Sequence, residues 1–375
     1  MLFNICGVTF DHTTNYGSCL QAYALQSAIE KVTIEDNHFH YDLVPYTKVN
    51  KNRPKSKKNI VSKAMRIVLK SITKKRRTKF QDFEKKYMHY VDCSEIGNLN
   101  SLNKKYDAFC CGSDVIWNLD FTKKDDFYLL AFAEKYKFSY GASFGVLNVE
   151  NDFEYAKGDD VNSFFSKWID RFDSISVREK SGKEYIESLT RKKGQVVCDP
   201  VILLSKNDWD KVCIDDHSGK DYIFAYSTYI SPNYLKFLKK LHNQTGLKVV
   251  HVTWDSKEAI KRGIWSFPSP EKWLSLLKNA KYVVTNSFHG TAFCTIYHKN
   301  FYVVMRDDLV KGTRIRLYEF LEKLGLRDRI YGHTPKEIDV SEPMFNESDR
   351  VIEDMRNKSY LFLKENLLHV TQERK

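Results

Sequence analysis

Two loops of the sequence have the composition of anion-binding sites. Residues 11–17 (DHTTNYG) and residues 286–290 (NSFHG) each follow an apolar run typical of a buried strand, and each precedes a predicted helix. The N-terminus of a helix offers free backbone N–H groups and a partial positive charge, which favour a bound anion. Gly17 and Gly290 would let the backbone approach a ligand closely. An ordinary helix cap with a tight turn is the alternative for both loops.

His289, in the second loop, is a candidate for proton transfer. It stands between a predicted strand and a predicted helix, and an imidazole can donate or accept a proton near neutral pH. A purely structural hydrogen bond is the alternative for this histidine. The polar neighbours in the two loops are candidate substrate contacts, namely Asn15, Tyr16, Asn286 and Ser287.

A third junction between a strand and a loop lies at residues 110–118 (CCGSDVIWN). Asp114 could act as a base or orient a sugar hydroxyl, with Ser113 as a neighbouring substrate contact. Trp117 could stack on a sugar ring through its aromatic face. The alternatives are a helix cap for Asp114 and a core position for Trp117.

Four basic residues are candidate partners for a carboxylate or a phosphate. Arg178 follows the predicted strand at residues 175–177, and a guanidinium can bind either anion through two parallel hydrogen bonds. An ion pair with a nearby acid is the alternative for Arg178. Lys311, Arg314 and Arg316 surround a predicted helix start, and we expect one of them to point into a cleft.

Apolar runs and helical periodicity place alternating strands and helices along the chain. In the N-terminal part they predict strands at 2–9, 41–44, 106–111, 138–142, 175–177 and 195–197, and helices at 18–31, 60–72 and 179–189. In the C-terminal part they predict strands at 222–226, 248–253, 282–285 and 301–305, and helices at 232–245, 269–279, 291–297, 313–324 and 348–368. Such alternation is typical of parallel sheets covered on both faces.

A polar, mixed segment at residues 204–220 marks a predicted domain boundary. We expect an N-terminal α/β domain at residues 1–205, a C-terminal α/β domain at 206–345, and a final helix at 346–375 that crosses back to the first domain. Ligands of open α/β folds bind at the carboxyl ends of the strands. The cleft between the two domains is therefore the expected site.

The positive charge of the chain is concentrated in one segment. The formal net charge is +12, yet residues 48–79 alone hold 14 Lys or Arg and no Asp or Glu. A lysine-rich amphipathic helix in this insertion suits the anionic inner face of a membrane. A solvated arm is the alternative. Nucleic-acid binding ranks lower, because no aromatic residues are interleaved with these lysines.

Composition limits the cellular setting and the chemistry. The sequence contains no apolar run of the ~20 residues that span a bilayer and no signal peptide. Its eight cysteines form no C-x-x-C pair and no zinc-ligand spacing. These features predict a cytoplasmic protein without a structural metal.

The ordered motifs resemble those of polysaccharide pyruvyltransferases. They are residues 15–25 (NYGSCLQAYAL), 111–118 (CGSDVIWN), 140–145 (YGASFG), 176–179 (SVRE), 199–200 (DP), 285–291 (TNSFHGT), 314–315 (RI) and 324–326 (LGL). Together they extend over about residues 4–326, and the ordered set is specific although no single motif is decisive.

The resemblance implies a fold of two Rossmann-like domains facing across a cleft, similar to the GT-B glycosyltransferase architecture. It implies phosphoenolpyruvate as the donor, no cofactor and no metal. The implied acceptor is a sugar in a cell-surface polysaccharide (an exopolysaccharide or a capsule) or in its lipid-linked precursor. The implied product is a cyclic ketal across two hydroxyls. Ser287 departs from the pattern, because many relatives carry an arginine at this position.

A mechanism can be assigned to the candidate residues as a hypothesis. His289 would act as the acid or the phosphate partner, and Asp114 as the base for the attacking hydroxyl. Arg178 and Arg314 would hold the anions in place of the missing arginine, and Asn15 would position a ligand. Two alternatives stay open: a glycosyltransferase that uses a nucleotide sugar, and a glycan-binding protein without catalytic activity.

Overall fold

A computed structural model describes residues 1–46, 63–92, 98–145, 159–214, 221–254, 256–264, 266–305, 311–331 and 338–373. The basic insertion is described only from Lys63 onward, so much of the predicted membrane-contact segment lies outside the described residues. Among the described helices, none combines the length and the apolar composition of a membrane span.

The first sheet has six parallel strands in the order β2-β1-β3-β4-β5-β6. The strands are β1 (Leu2–Val8), β2 (His38–Leu43), β3 (Ala108–Cys111), β4 (Lys137–Ala142), β5 (Ser174–Val177) and β6 (Gly194–Val196). Every residue of β3 and of β4 is buried, as expected for a sheet covered on both faces.

The described residues of the N-terminal part also form seven helices. They are α1 (Tyr16–Glu30), α2 (Lys63–Tyr87), α3 (Leu119–Thr122), α4 (Asp159–Ile169), α5 (Lys180–Leu189), α6 (Pro200–Leu203) and α7 (Lys206–Asp210). Short 3₁₀ turns occur at Leu99–Lys104 and Asp126–Leu129.

The second sheet has five parallel strands in the order β11-β10-β9-β7-β8. The strands are β7 (Tyr222–Ser227), β8 (Lys248–Thr253), β9 (Tyr282–Thr285), β10 (Asn300–Val304) and β11 (Ile330–Tyr331). The helices around it are α8 (Pro232–Thr245), α9 (Ser256–Lys261), α10 (Pro270–Asn279), α11 (Phe288–Ile296) and α12 (Lys311–Lys323), with a 3₁₀ turn at Arg327–Arg329.

Local sequence accounts for several of these boundaries. Ser231 and Ser269 each accept a hydrogen bond from the backbone of the helix that follows, and each is followed by a proline in the first turn. Serine caps the free N–H groups, and proline lacks an N–H that would otherwise be unsatisfied there. Gly246 ends α8 in the left-handed conformation, with φ +69°.

Two sets of contacts connect the domain that contains the first sheet to the domain that contains the second. Tyr16, at the start of α1, donates a hydrogen bond to the carbonyl of Pro268 and stacks on Trp273, with 5.3 Å between ring centroids. Arg76 of α2 is buried and donates to the carbonyls of Thr14 on one side and Trp254 on the other, at 2.7 and 2.5 Å. The helix α2 therefore bridges the two parts of the chain.

The last helix, α13 (Asn346–Glu373), packs against the N-terminal part. Arg356 donates to the carbonyl of Ile202, and Ser359 accepts a hydrogen bond from the backbone N–H of Cys198, both at 2.9 Å. These contacts join α13 to the segment that follows β6. The limits of the two domains themselves remain a prediction.

The predicted α/β architecture is confirmed, with local differences. The predicted limits at residues 232–245, 248–253 and 282–285 coincide with α8, β8 and β9. The helix predicted at 60–72 instead continues to Tyr87, because Phe80 and Phe83 pack into the core beyond the predicted end. The helix α4 and the two-residue strand β11 were not predicted.

Candidate active site

A cavity of about 270 Å³ lies between the two domains. Loops that follow β1, β3 and β5 border it on one side, and loops that follow β7 and β9 border it on the other. Its polar lining comes from both domains and includes Asn15, Asp114, Arg178, Ser287, His289 and Arg316. The cavity therefore occupies the cleft that the order of elements predicts.

His289, Asp199 and Arg178 form a buried cluster at this cavity. His289 lies in the first turn of α11, and its Nε2 is 3.3 Å from Oδ2 of Asp199. Arg178 donates from Nη1 to the same oxygen at 2.6 Å. Burial raises the pKa of Asp199, but His289 and Arg178 together lower it further, so its pKa lies well below the usual range. Asp199 is therefore a carboxylate that orients both neighbours.

Gly17 provides the space for the imidazole of His289. A Cβ atom at Gly17 would lie 2.2 Å from Nδ1 of His289, far inside van der Waals contact. The two predicted loops thus meet, and the glycine permits contact between the start of α1 and the histidine of α11. Nε2 of the imidazole faces Asp199, and Nδ1 lies on the side of Gly17.

Two guanidiniums, on side chains that are 5% and 16% exposed, share one carboxylate beside this cluster. Arg178 donates from Nε to Oε1 of Glu179 at 3.0 Å, and Nη1 of Arg316 lies 3.9 Å from the same oxygen. Burial and the neighbouring Arg178 lower the pKa of Arg316. The Nε of Arg316 is buried and has no hydrogen-bond partner among the described residues. Arg316 can therefore still donate a hydrogen bond from Nε to an anion between the two domains.

Asp114 reaches the cavity in a strained backbone conformation, with φ +70°. Its Oδ2 accepts a hydrogen bond from Oγ of Ser18 at 2.5 Å, and its Oδ1 accepts one from the N–H of Val115 at 2.8 Å. A carboxylate oxygen can accept more than one hydrogen bond. Asp114 can therefore still accept a proton or a hydrogen bond from a hydroxyl.

The polar residues at the two helix starts act as caps. Asn15 accepts a hydrogen bond from the N–H of Gly17 at 2.9 Å, and Ser287 accepts one from the N–H of Gly290 at 3.3 Å. Asn286 joins two loops of the second domain by accepting from the N–H of Thr228. The capping alternative therefore holds for Asn15 and Ser287, although both of them and Asn286 also line the cavity.

Four predicted ligand contacts lie away from the cavity. Trp117 is 1% exposed and donates from Nε1 to the carbonyl of Tyr128, so it belongs to the core and cannot stack on a sugar. Ser113 is buried and donates to the carbonyl of Gly141. Tyr16 is buried in the domain interface, and Gly290 is packed close to Thr285 inside α11.

The structure assigns the second cation of the site to Arg316. Lys311 and Arg314 fall within α12, but their side chains lie outside the described residues. Arg316 follows two positions after Arg314 and reaches the cavity. Sequence reasoning also missed Asp199 and Glu179 as site residues. The signal for both was their place directly after strands, as in 199–200 (DP) and in Glu179 after Arg178.

Comparisons with solved structures show the fold. The wall teichoic acid polymerase TagF is similar with a TM-score of 0.51 and 10% identity, over 100% of this chain and 89% of that chain. A putative UDP-N-acetylglucosamine 2-epimerase from Listeria monocytogenes matches with a TM-score of 0.49 and 10% identity, over 98% of this chain and 89% of that chain. The likeness to TagF confirms the two-domain GT-B-type architecture.

Sequence comparison identifies the family. No curated protein matches the chain significantly. The family model described as "Polysaccharide pyruvyl transferase" matches residues 15–308, which include residues 15–17 of the first loop and the whole of the second loop. The chain therefore belongs to the polysaccharide pyruvyl transferase family.

Proposed function

We propose that this protein transfers a pyruvyl group from phosphoenolpyruvate to two hydroxyls of a sugar, forming a cyclic ketal. The acceptor would be a cell-surface polysaccharide or its lipid-linked precursor. The observation that carries the proposal is the pair of guanidiniums of Arg178 and Arg316, which share the carboxylate of Glu179 beside His289 and Asp199. The buried Nε of Arg316, which has no hydrogen-bond partner among the described residues, can donate to the carboxylate or the phosphate of such a donor.

In the proposed reaction, C3 of the enol gains a proton and a sugar hydroxyl attacks C2. The bond between C2 and the phosphate oxygen then breaks, and a second hydroxyl closes the ring at C2. One hydroxyl proton leaves through Asp114, and the other leaves with the phosphate. The sum is phosphoenolpyruvate plus a diol giving the ketal plus phosphate, without an external oxidant or reductant.

His289 would supply the proton or bind the phosphate. Asp199 would orient the ring, because its Oδ2 lies 3.3 Å from Nε2. Arg178 and Arg316 would hold the donor's anionic groups in place of the arginine that is absent at Ser287. The dry, fixed setting would strengthen each of these electrostatic contacts.

The test is phosphate release from phosphoenolpyruvate with a panel of synthetic and lipid-linked galactosyl, glucosyl and N-acetylmannosaminyl acceptors. Mass spectrometry should show an acceptor that gains one pyruvate less one water, in step with phosphate release. Arg316→Met should lose this activity, whereas Arg327→Met, an exposed arginine outside the cavity, should keep it. Release of a nucleoside diphosphate from a nucleotide sugar instead would favour a glycosyltransferase. Glycan binding without turnover would favour a glycan-binding protein.

We further propose that the basic insertion contacts an anionic membrane surface. In the described part of α2, Lys70, Lys74, Lys75 and Arg77 are exposed. Exposed lysines and arginines attract anionic lipid headgroups. Neutralising Lys74, Lys75 and Arg77 should reduce sedimentation with anionic liposomes, and unchanged sedimentation would exclude the role. Arg76 must be left intact, because it is buried between the domains.

A further inference from the structure

Three potential metal ligands converge at the edge of the first sheet, away from the cleft. Glu30 is the last residue of α1, His40 lies on β2, and His89 follows the end of α2. One ligand atom from each residue lies within 4.8 Å of the others. Oε1 of Glu30 is 3.3 Å from Nδ1 of His40 and 3.0 Å from Nδ1 of His89.

The hydrogen-bonding capacity of His40 leaves room for a cation. Its Nε2 is 3.2 Å from Oδ1 of Asp42, so each ring nitrogen faces a carboxylate. A neutral imidazole carries one N–H. If that N–H is directed at Asp42, the lone pair of Nδ1 faces the carboxylate of Glu30, and a positive charge is needed between them. His89 directs Nδ1 at the same oxygen.

The three ligands are held by rigid neighbours. Glu30 accepts a hydrogen bond from the backbone N–H of Tyr41 at 3.1 Å, and the N–H of His89 donates to Gln26 at 2.9 Å. The carbonyl of His89 accepts from the N–H of Leu43 in a bridge to β2. Ligands on fixed elements bind a metal without a large ordering cost.

We propose that Glu30, His40 and His89 bind a zinc ion, with Asp42 as the carboxylate that orients His40. Bonds of about 2.0–2.2 Å to a tetrahedral zinc place neighbouring ligand atoms roughly 3.3–3.5 Å apart, close to the observed contacts to Glu30. Two imidazoles and a carboxylate suit zinc better than calcium or magnesium, which prefer oxygen ligands. Water would complete the coordination, since the cluster is partly exposed.

The site would join α1, β2 and the segment after α2. Gly17 lies at the N-terminal end of α1, and the site lies at the C-terminal end of that helix. Because α1 has 15 residues, this end lies on the order of 20 Å from the cleft. The zinc would therefore stabilise the fold and take no part in the transfer reaction. The inference stands independently of the proposed function.

The test uses tag-free protein from which metal ions have been removed by dialysis against a chelator. Zinc binding is measured by calorimetric titration with zinc chloride, and stability is measured by thermal unfolding with and without zinc. We expect one zinc per chain, a micromolar or tighter Kd and a higher Tm with zinc. Glu30→Gln and His89→Ala should weaken binding by at least about tenfold, and Asp42→Asn by about tenfold. His298→Ala, at a half-exposed histidine that pairs with Asp349, is the matched control and should bind like the wild type.

Two results would overturn the proposal. The first is no saturable zinc binding by the wild-type protein. The second is equal zinc affinity in the wild type, in Glu30→Gln and in His89→Ala. Circular dichroism of each variant without zinc separates lost binding from a failure to fold, and both ligand positions are partly exposed, so their replacement should leave the fold intact.

Discussion

Replacement of Asp199 by asparagine removes one charge from the centre of the candidate active site and preserves the shape of the side chain. The carboxylate contacts Nη1 of Arg178 at 2.6 Å and Nε2 of His289 at 3.3 Å, and it caps α6 by accepting from the N–H of Val201 at 3.1 Å. Asparagine can keep the bond to Val201. It cannot balance the positive charge of Arg178.

The expected cost follows from these contacts. Unit charges 2.6 Å apart attract by about 6 kcal/mol at an effective dielectric constant of about 20, before the cost of desolvation. Removing one partner of a buried ion pair costs about 3–5 kcal/mol, and retention of the cap places Asp199→Asn near the lower end, at about 3 kcal/mol. Turnover should fall by about 10²-fold or more, because the imidazole loses the charge that orients it.

Urea denaturation and phosphate release from phosphoenolpyruvate measure the two effects. Asp208→Asn is the control, because Asp208 is a partly exposed carboxylate paired with Lys31 at 2.6 Å outside the cavity. It should retain full turnover. The folded-state pKa of Asp199 lies below its unfolded value, so its stabilising contribution is present above about pH 4 and is lost as the pH falls further. A folded Asp199→Asn protein with turnover within threefold of the wild type would refute the assigned role.

Four further changes test other parts of the structure. Arg316→Met should leave the free energy of unfolding unchanged or higher, because burial and the neighbouring Arg178 disfavour the charge of Arg316. Phosphoenolpyruvate should no longer raise the Tm of this variant. A fall of more than about 2 kcal/mol in the free energy of unfolding, measured in urea, would contradict this reasoning. Gly17→Ala should reduce turnover by at least about tenfold, because the new methyl group displaces the imidazole of His289. A folded variant with normal turnover would show that the close contact between Gly17 and His289 is not needed for activity. Arg76→Met should cost about 2–4 kcal/mol in urea, since the carbonyls of both domains lose a charged donor, whereas replacement of the exposed Lys75 should stay within about 0.5 kcal/mol. Burial lowers the pKa of His251 to about 4. The contribution of the neutral imidazole to the stability of the fold is therefore complete above about pH 6.5 and is lost as the pH drops below that value. Between pH 7.5 and pH 5 the wild type should therefore lose about 2 kcal/mol of stability relative to His251→Gln. A difference between the two proteins that does not depend on pH would show that His251 does not titrate as described.

The secondary structure of the second domain was largely predictable because its signals are local. Apolar strands alternate with amphipathic helices, and serine followed by proline marks the starts of α8 and α10. The length of α2 was not predictable in this way. Its last turns are strongly charged, and what holds them is the burial of Phe80 and Phe83 against other elements.

The candidate site was predictable as a set of loops but not as a set of contacts. The motifs placed His289, Gly17 and Arg178 at the ends of strands, and these residues do meet at the cleft. The same motifs also suggested Trp117 as a sugar platform. Its indole is instead buried beside Phe144, because the side of a loop that faces the core depends on how the whole sheet is covered.

By itself, the sequence determined the α/β class, the order of the strands and helices, and the family to which the chain belongs, because these depend on local periodicity and on ordered motifs. Only the tertiary structure decided that Arg316 joins Arg178, that Asp199 lies against His289, and that Glu30, His40 and His89 converge. These residues are far apart along the chain, and no local pattern connects them. Their distances and their charges are set by the packing and burial of complete domains.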